Sequence, residues 1–333
     1  MQTCLPVEYP PITSFPAIAN SLSILWVNRD NVLPWISDHY IQLLIRPHHP
    51  LTRSDFYDQA DIDNFITTGN HCPFIGWLRN NQTTARFTDF SGYIEYQINH
   101  GYYIDACLDN FYLSCSSFYN KEHFIHQTFI YGYDSEKRQV FVSDFYDASK
   151  YARKIVSYND INKSIEGIDY HINLYKYEDC DYKINLDLLK LTIEDYINCR
   201  DSLKKFEFSY PSYNKDVLYG LDFYSYIIDV FSEEEYIDLR PFHILCDHKK
   251  MMKIRLDYLK KLYAYDNSKI ELICERNDSL ITKSLTLRNM VIKYNTNHNN
   301  DLLYKIKTEC SSLQKFDFYL FTDLLSYIID NQN

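Results

Sequence analysis

The sequence predicts an α+β domain followed by an all-helical one. Two observations carry this: short runs between Gly101 and Ile161 alternate apolar and polar residues with the period of a half-buried strand, and from Asn185 onward apolar residues recur every three or four positions. Helical periods also precede the strand region, so strands and helices share the first part of the chain. The boundary falls near residue 180, giving domains of 1–180 and 181–333, and no repeat period is present.

With 333 residues and 46% hydrophobic composition, the chain can bury a sizeable core. A net charge of −11 with no basic stripe argues against a nucleic-acid partner, because phosphate binding draws on clustered Lys and Arg. The start MQTCLPVEYPPITSF lacks a basic, apolar leader, and no run approaches the ~20 apolar residues that span a bilayer. A soluble cytoplasmic protein is expected, with no membrane partner and no cofactor. Nine scattered cysteines without a Cys-x-x-Cys pair fit reduced, mostly buried thiols.

Residues 5 to 12 are proline-rich and extended. Thr13 or Ser14 then stands ahead of Pro16 and is expected to cap a helix reaching Trp26, with Ile18, Leu22 and Leu25 on its buried stripe. A second helix is expected from Pro34 to Arg46, ended by Pro47 and Pro50. Residues 51 to 85 read as irregular, with a short apolar piece, CPFIGWL. Thr88 and Asp89 open a helix spaced by Phe90, Ile94 and Ile98, and Gly101 terminates it.

The strand YYIDACL follows, and a hairpin comes after it. HQTFIYGY from His126 and QVFVSDF flank a polar turn at 134 to 138, which brings Asp144 back beside His126. A carboxylate there holds the imidazole in one tautomer, as the orienting member of a nucleophile-base-orienter triad does. YHINLYKY is one more strand. Helices are then spaced by Leu186 to Ile197, by Tyr224 to Phe231 and by Leu245 to Leu262, with further runs over 270–295 and 300–331.

Three segments carry a resemblance: GYYIDACLDNFYLS from Gly101, HFIHQTFIYGYD from His123, and VFVSDF from Val140. With a helix upstream, they resemble the butirosin biosynthesis protein H N-terminal family and related bacteriocin-processing cysteine peptidases, over residues 10 to 165. The resemblance implies a papain-like domain with an antiparallel sheet and an appended helical domain. It also implies acyl or aminoacyl transfer from a carrier protein to an amine, or amide or thioester hydrolysis, in secondary-metabolite biosynthesis of the nonribosomal-peptide type. His126 would be the base and Asp144 its orienter, with an acyl or peptidyl carrier protein and a small amine or peptide as partners. One departure stands out. A papain-like enzyme carries its thiol at the N-terminus of the first helix, where the helix dipole activates it. Here that place reads TSFPAIAN, Cys4 lies too early, and Ser14 is the only replacement nucleophile. The alternative function is a catalytically silent relative that binds a carrier protein or peptide.

Other groups carry less. His123 and His126, with Cys115 or Asp109, have metal-binding residue types, yet residues three apart in a strand face opposite ways. Cys107 and Cys115 read as small buried apolar groups, and His48 and His49 as an exposed loop pair. Cys246, Asp247 and His248 are helix neighbours whose side chains diverge by about 100°.

Overall fold

A computed structural model describes residues 1–45, 61–62, 72–80, 87–147, 150–168, 172–202, 217–230, 236–263 and 268–332. His48, His49, Pro47, Pro50 and Phe231 lie outside the described residues. In chain order the elements are β1 (Gln2–Cys4), α1 (Pro16–Leu25), α2 (Arg29–Asp38), β2 (Leu43–Ile45), β3 (Asp61–Ile62), β4 (Ile75–Asn80), α3 (Phe90–Asn99), β5 (Tyr103–Asp109), β6 (Ile125–Asp134), β7 (Gln139–Asp147), β8 (Lys150–Ser157), α4 (Tyr158–Ser164) and β9 (Ile172–Tyr177). There follow α5 (Leu186–Ile197), β10 (Leu218–Tyr219), α6 (Asp222–Val230), α7 (Arg240–Leu262), α8 (Ser268–Asn297) and α9 (Asn300–Asp330). The protein is thus α+β, an antiparallel sheet with helices and a helical C-terminal region. No helix among the described residues is long and apolar enough to cross a membrane.

Two compact units divide the chain, Met1–Val32 with Phe65–Asp181 and Leu33–Asn64 with Tyr182–Asn333; α2 runs through the division. The first unit is built on a seven-stranded antiparallel sheet in the order β4-β9-β5-β6-β7-β8, with β1 pairing the far half of β6. One sheet face closes on α3 and α4. Ile104, Ala106, Leu108, Ile130, Val140 and Val142 pack there against Phe90, Ile94, Ile98 and Ile161. α3 forms as its spacing requires: the Asp89 carboxylate accepts the Gly92 N–H at 2.9 Å, and Gly101 ends the segment at φ +83°, a conformation that costs glycine little.

α1 begins at Pro16, but neither Thr13 nor Ser14 is its cap. The cap position is Phe15, at φ −132° and ψ 144°, with no side-chain bond to the helix. Proline forces its predecessor into an extended conformation, and here that predecessor is a residue with no acceptor to offer. The expected second helix is also shorter than its apolar spacing suggests. α2 stops at Asp38, Tyr40 turns into the left-handed region at φ 55°, and Leu43 to Ile45 become strand β2.

The second unit carries a small three-stranded sheet, β10-β2-β3, besides its helices, where the spacing alone indicated helices only. Its core holds charge. Arg255 is fully buried and donates from Nε to the Ser37 carbonyl at 2.8 Å and from Nη2 to the Tyr40 carbonyl at 3.1 Å, so it satisfies carbonyls left over where α2 ends. Lys249, also fully buried, pairs with Asp317, and Tyr196 and Tyr224 donate their hydroxyls to the same carboxylate oxygen.

Candidate active site

The β5–β6 ladder sets the site. Leu108 stands opposite His126, Ala106 opposite Thr128 and Ile104 opposite Ile130. Because side chains alternate, His126 projects from the face that packs on α3 and α4. On β7, Val142 pairs with Ile130 and Ser143 with Phe129, so Asp144 emerges from that same face. The two meet: His126 Nδ1 lies 2.8 Å from Asp144 Oδ2. Asp144 is 1% exposed and its other oxygen accepts the Phe145 N–H at 2.7 Å, so the carboxylate is fixed by backbone as well. A carboxylate only accepts, and Nδ1 is therefore the donor, leaving Nε2 as the basic nitrogen.

His126 is 28% exposed, and its ring stacks on Phe124 at 5.3 Å, which in turn stacks on Phe118 at 4.5 Å. Burial lowers the imidazole pKa, but the Asp144 hydrogen bond and charge, with the charge of Asp105, outweigh it and hold the pKa above its usual value. The arrangement suits a base that accepts a proton and keeps the resulting cation.

On the opposite face are Asp105, Cys107, Asp109 and Gln127, and α1 packs on this side. Asp105 Oδ2 accepts from Asn20 Nδ2 at 3.0 Å and from Gln127 Nε2 at 2.7 Å, and the Tyr151 hydroxyl donates to Asn20 Oδ1 at 2.9 Å. The Tyr151 bond fixes the Asn20 amide with its N–H groups toward the carboxylate. Burial pushes the Asp105 carboxyl up to about 6, with the two amide bonds opposing and the Asp144 charge adding.

Of the residues singled out from sequence, His126 and Asp144 are brought together. Ser14 is half-buried two positions ahead of Pro16, on the segment that leads into α1. α1 sends Asn20 into the sheet, on the face away from the His126 pair. Cys107 and Cys115 are half-buried; burial raises both thiols, Cys115 to about 11, so neither is a thiolate near neutral pH. Cys246, Asp247 and His248 diverge: Asp247 binds Lys250 at 2.8 Å, while His248 Nε2 donates to the Ile41 carbonyl at 2.8 Å. No group of three or more His, Cys, Asp or Glu is set to hold a metal among the described residues.

Two clusters escaped the sequence reading. Asn20 and Asp105 lie 85 positions apart, and nothing local joins them. His123 and Asp109 do carry a signal, since they flank the loop between β5 and β6. In the structure His123 Nδ1 lies 2.6 Å from Asp109 Oδ2. No family model and no curated protein matches this sequence.

Proposed function

We propose that the first unit is a papain-like domain performing acyl-group chemistry, either transfer of an acyl or aminoacyl group from a carrier-protein thioester to an amine, or hydrolysis of an amide or thioester. His126 is the general base and Asp144 its orienter. The observation that carries the reading is the 2.8 Å contact between His126 Nδ1 and a carboxylate that is itself anchored to the Phe145 N–H. The resemblance of the segments from Gly101, His123 and Val140 to the butirosin biosynthesis protein H N-terminal family supports the same reading.

An amine acceptor is itself a nucleophile. His126 Nε2 takes its proton as the nitrogen attacks the thioester carbonyl, the C–S bond breaks, and the carrier thiolate leaves with its electron pair and is reprotonated from the imidazolium. No protein thiol is required for that route, which fits a first helix without cysteine. Ser14 would be required only for a route through an acyl-enzyme.

Incubation with acyl-loaded carrier protein and candidate amines, followed by mass measurement of both, tests the proposal. His126→Ala should lower turnover by roughly 10²–10⁴-fold while the protein stays folded. Equal turnover in wild type and variant would sink it. A second reading, a silent relative that binds a carrier protein or peptide, is favoured by the placement of α1 against the sheet face opposite His126. It predicts no turnover with any thioester and partner binding that survives His126→Ala.

A further inference from the structure

We propose that His123 and Asp109 form a second His–Asp dyad, whose exposed imidazole nitrogen accepts acyl groups from activated acyl compounds such as thioesters and aryl esters. Asp109 lies on the other face of the β5–β6 pair from His126, and His123 in the loop that joins the two strands. Asp109 closes β5 opposite Ile125, two residues beyond Cys107 and on the side of Asp105. Asp109 is held rigidly. Its Oδ1 accepts the Phe111 N–H at 3.0 Å and the Phe124 N–H at 3.1 Å, and its Oδ2 accepts from His123 Nδ1 at 2.6 Å. With one oxygen on two backbone donors and the other on the ring, the carboxylate dictates which imidazole nitrogen carries the proton. That leaves Nε2 with its lone pair.

Three features separate this dyad from a histidine that is merely bonded into the structure. The ring is oriented at three points, by Asp109, by stacking on Phe111 at 4.2 Å and 19°, and by the Tyr112 edge at 5.9 Å. His123 is nonetheless 64% exposed, so a fixed ring presents its basic nitrogen to solvent. An open apolar side chain lies on the same face: Ile125, across from Asp109, is 55% exposed. An acyl chain or aryl ester has a surface to lie on beside the nitrogen that would attack it.

The chemistry balances without a thiol or a metal. The Nε2 lone pair attacks the acyl carbonyl carbon, the C–S or C–O bond breaks, and the thiolate or phenolate leaves with its electron pair. The acylated ring is cationic, and the Asp109 carboxylate on Nδ1–H stabilises it. Water, or an amine in its place, then attacks the acyl carbon; the C–N bond breaks, Nε2 recovers its lone pair, and one proton passes to solvent.

The experiment uses the full chain with p-nitrophenyl acetate and with an acetyl thioester of N-acetylcysteamine. It records the burst of released phenolate or thiol, and intact-protein mass at neutral pH, taken before and after hydroxylamine, which strips acyl-imidazole but not acyl-lysine, assigns the acetyl group by comparison with His123→Gln. Wild type should give a burst and an acetyl on His123. His123→Gln should abolish both, and Asp109→Asn should slow acylation by freeing the ring tautomer. His126→Ala should still carry the acetyl on His123 even where it lowers the steady release that follows, which keeps this proposal separable from the base role of His126. Circular dichroism controls for folding, and His123→Gln alters an exposed side chain, so it decides the matter if Asp109→Asn unfolds. A burst that persists in His123→Gln, acetyl groups found only on lysines, or the absence of any burst in folded wild type overturns the dyad. A burst that is lost in His126→Ala but kept in His123→Gln would overturn it while leaving the first proposal standing.

Discussion

At the scale of single residues, the His126 pair makes a prediction that needs no substrate. Asp144 is what holds the imidazole pKa up against burial, so NMR titration should place His126 above the ordinary value of ~6.5, and Asp144→Asn should drop it, because burial then acts with little opposition. A His126 pKa unchanged in the variant would refute the orienting role. Asp105 makes a stability prediction of known sign. Its folded pKa of about 6 exceeds the usual carboxylate value, so between roughly pH 4 and 6 the folded state binds more protons than the unfolded one. Stability from this group therefore falls as pH rises through that window. Asp105→Asn, which keeps an acceptor for Asn20 and Gln127, should flatten the pH dependence of the urea midpoint there; a slope as steep as wild type would contradict the assignment.

At the scale of elements, β6 is the strand that most constrains the first unit, and Gly132 shows why. A Cβ there would lie 2.8 Å from the Phe141 ring and 2.8 Å from the Thr3 carbonyl oxygen, so β1 and β7 approach too closely for any larger residue. Gly132→Ala should cost about 1–3 kcal/mol, read as a lowered denaturation midpoint. The hairpin that brings His126 to Asp144 was legible in the sequence because a polar turn between alternating runs sets strand pairing by counting. Tyr40 was not legible in this way: a left-handed backbone at a tyrosine has no local signature, and the apolar run beyond it reads equally as helix or strand. The Asn20–Asp105 contact was hidden for a different reason, since it depends on how α1 lies on the sheet. The dyad of His123 and Asp109 lay within reach, because both residues border one loop, but the aromatic stacking that fixes the ring is a property of the folded loop.

For the molecule as a whole, two kinds of core stand side by side in the chain. The first unit closes around aliphatic and aromatic side chains, whereas the second buries Lys249, Asp317, His248 and Arg255 among its helices. Asp317→Ala would leave the Lys249 ammonium without its counter-charge, at a cost of about 3–5 kcal/mol, while Lys249→Met with Asp317→Leu should recover much of that loss. Urea titration of both variants checks it, and a double variant no more stable than the single one would count against a charge-based cost. The register of β6 carries one last consequence. Its residues Ile125 to Ile130 pair with Asp109 to Ile104 of β5, but its pairing with β7 starts only at Phe129. Residues 125 to 128 are thus laddered on one side alone among the described residues, and they should exchange their amide protons for deuterium sooner than Phe129 and Ile130. His126 sits within this end and His123 in the loop just ahead of it, so the imidazole of each is carried by backbone that is held on one side at most.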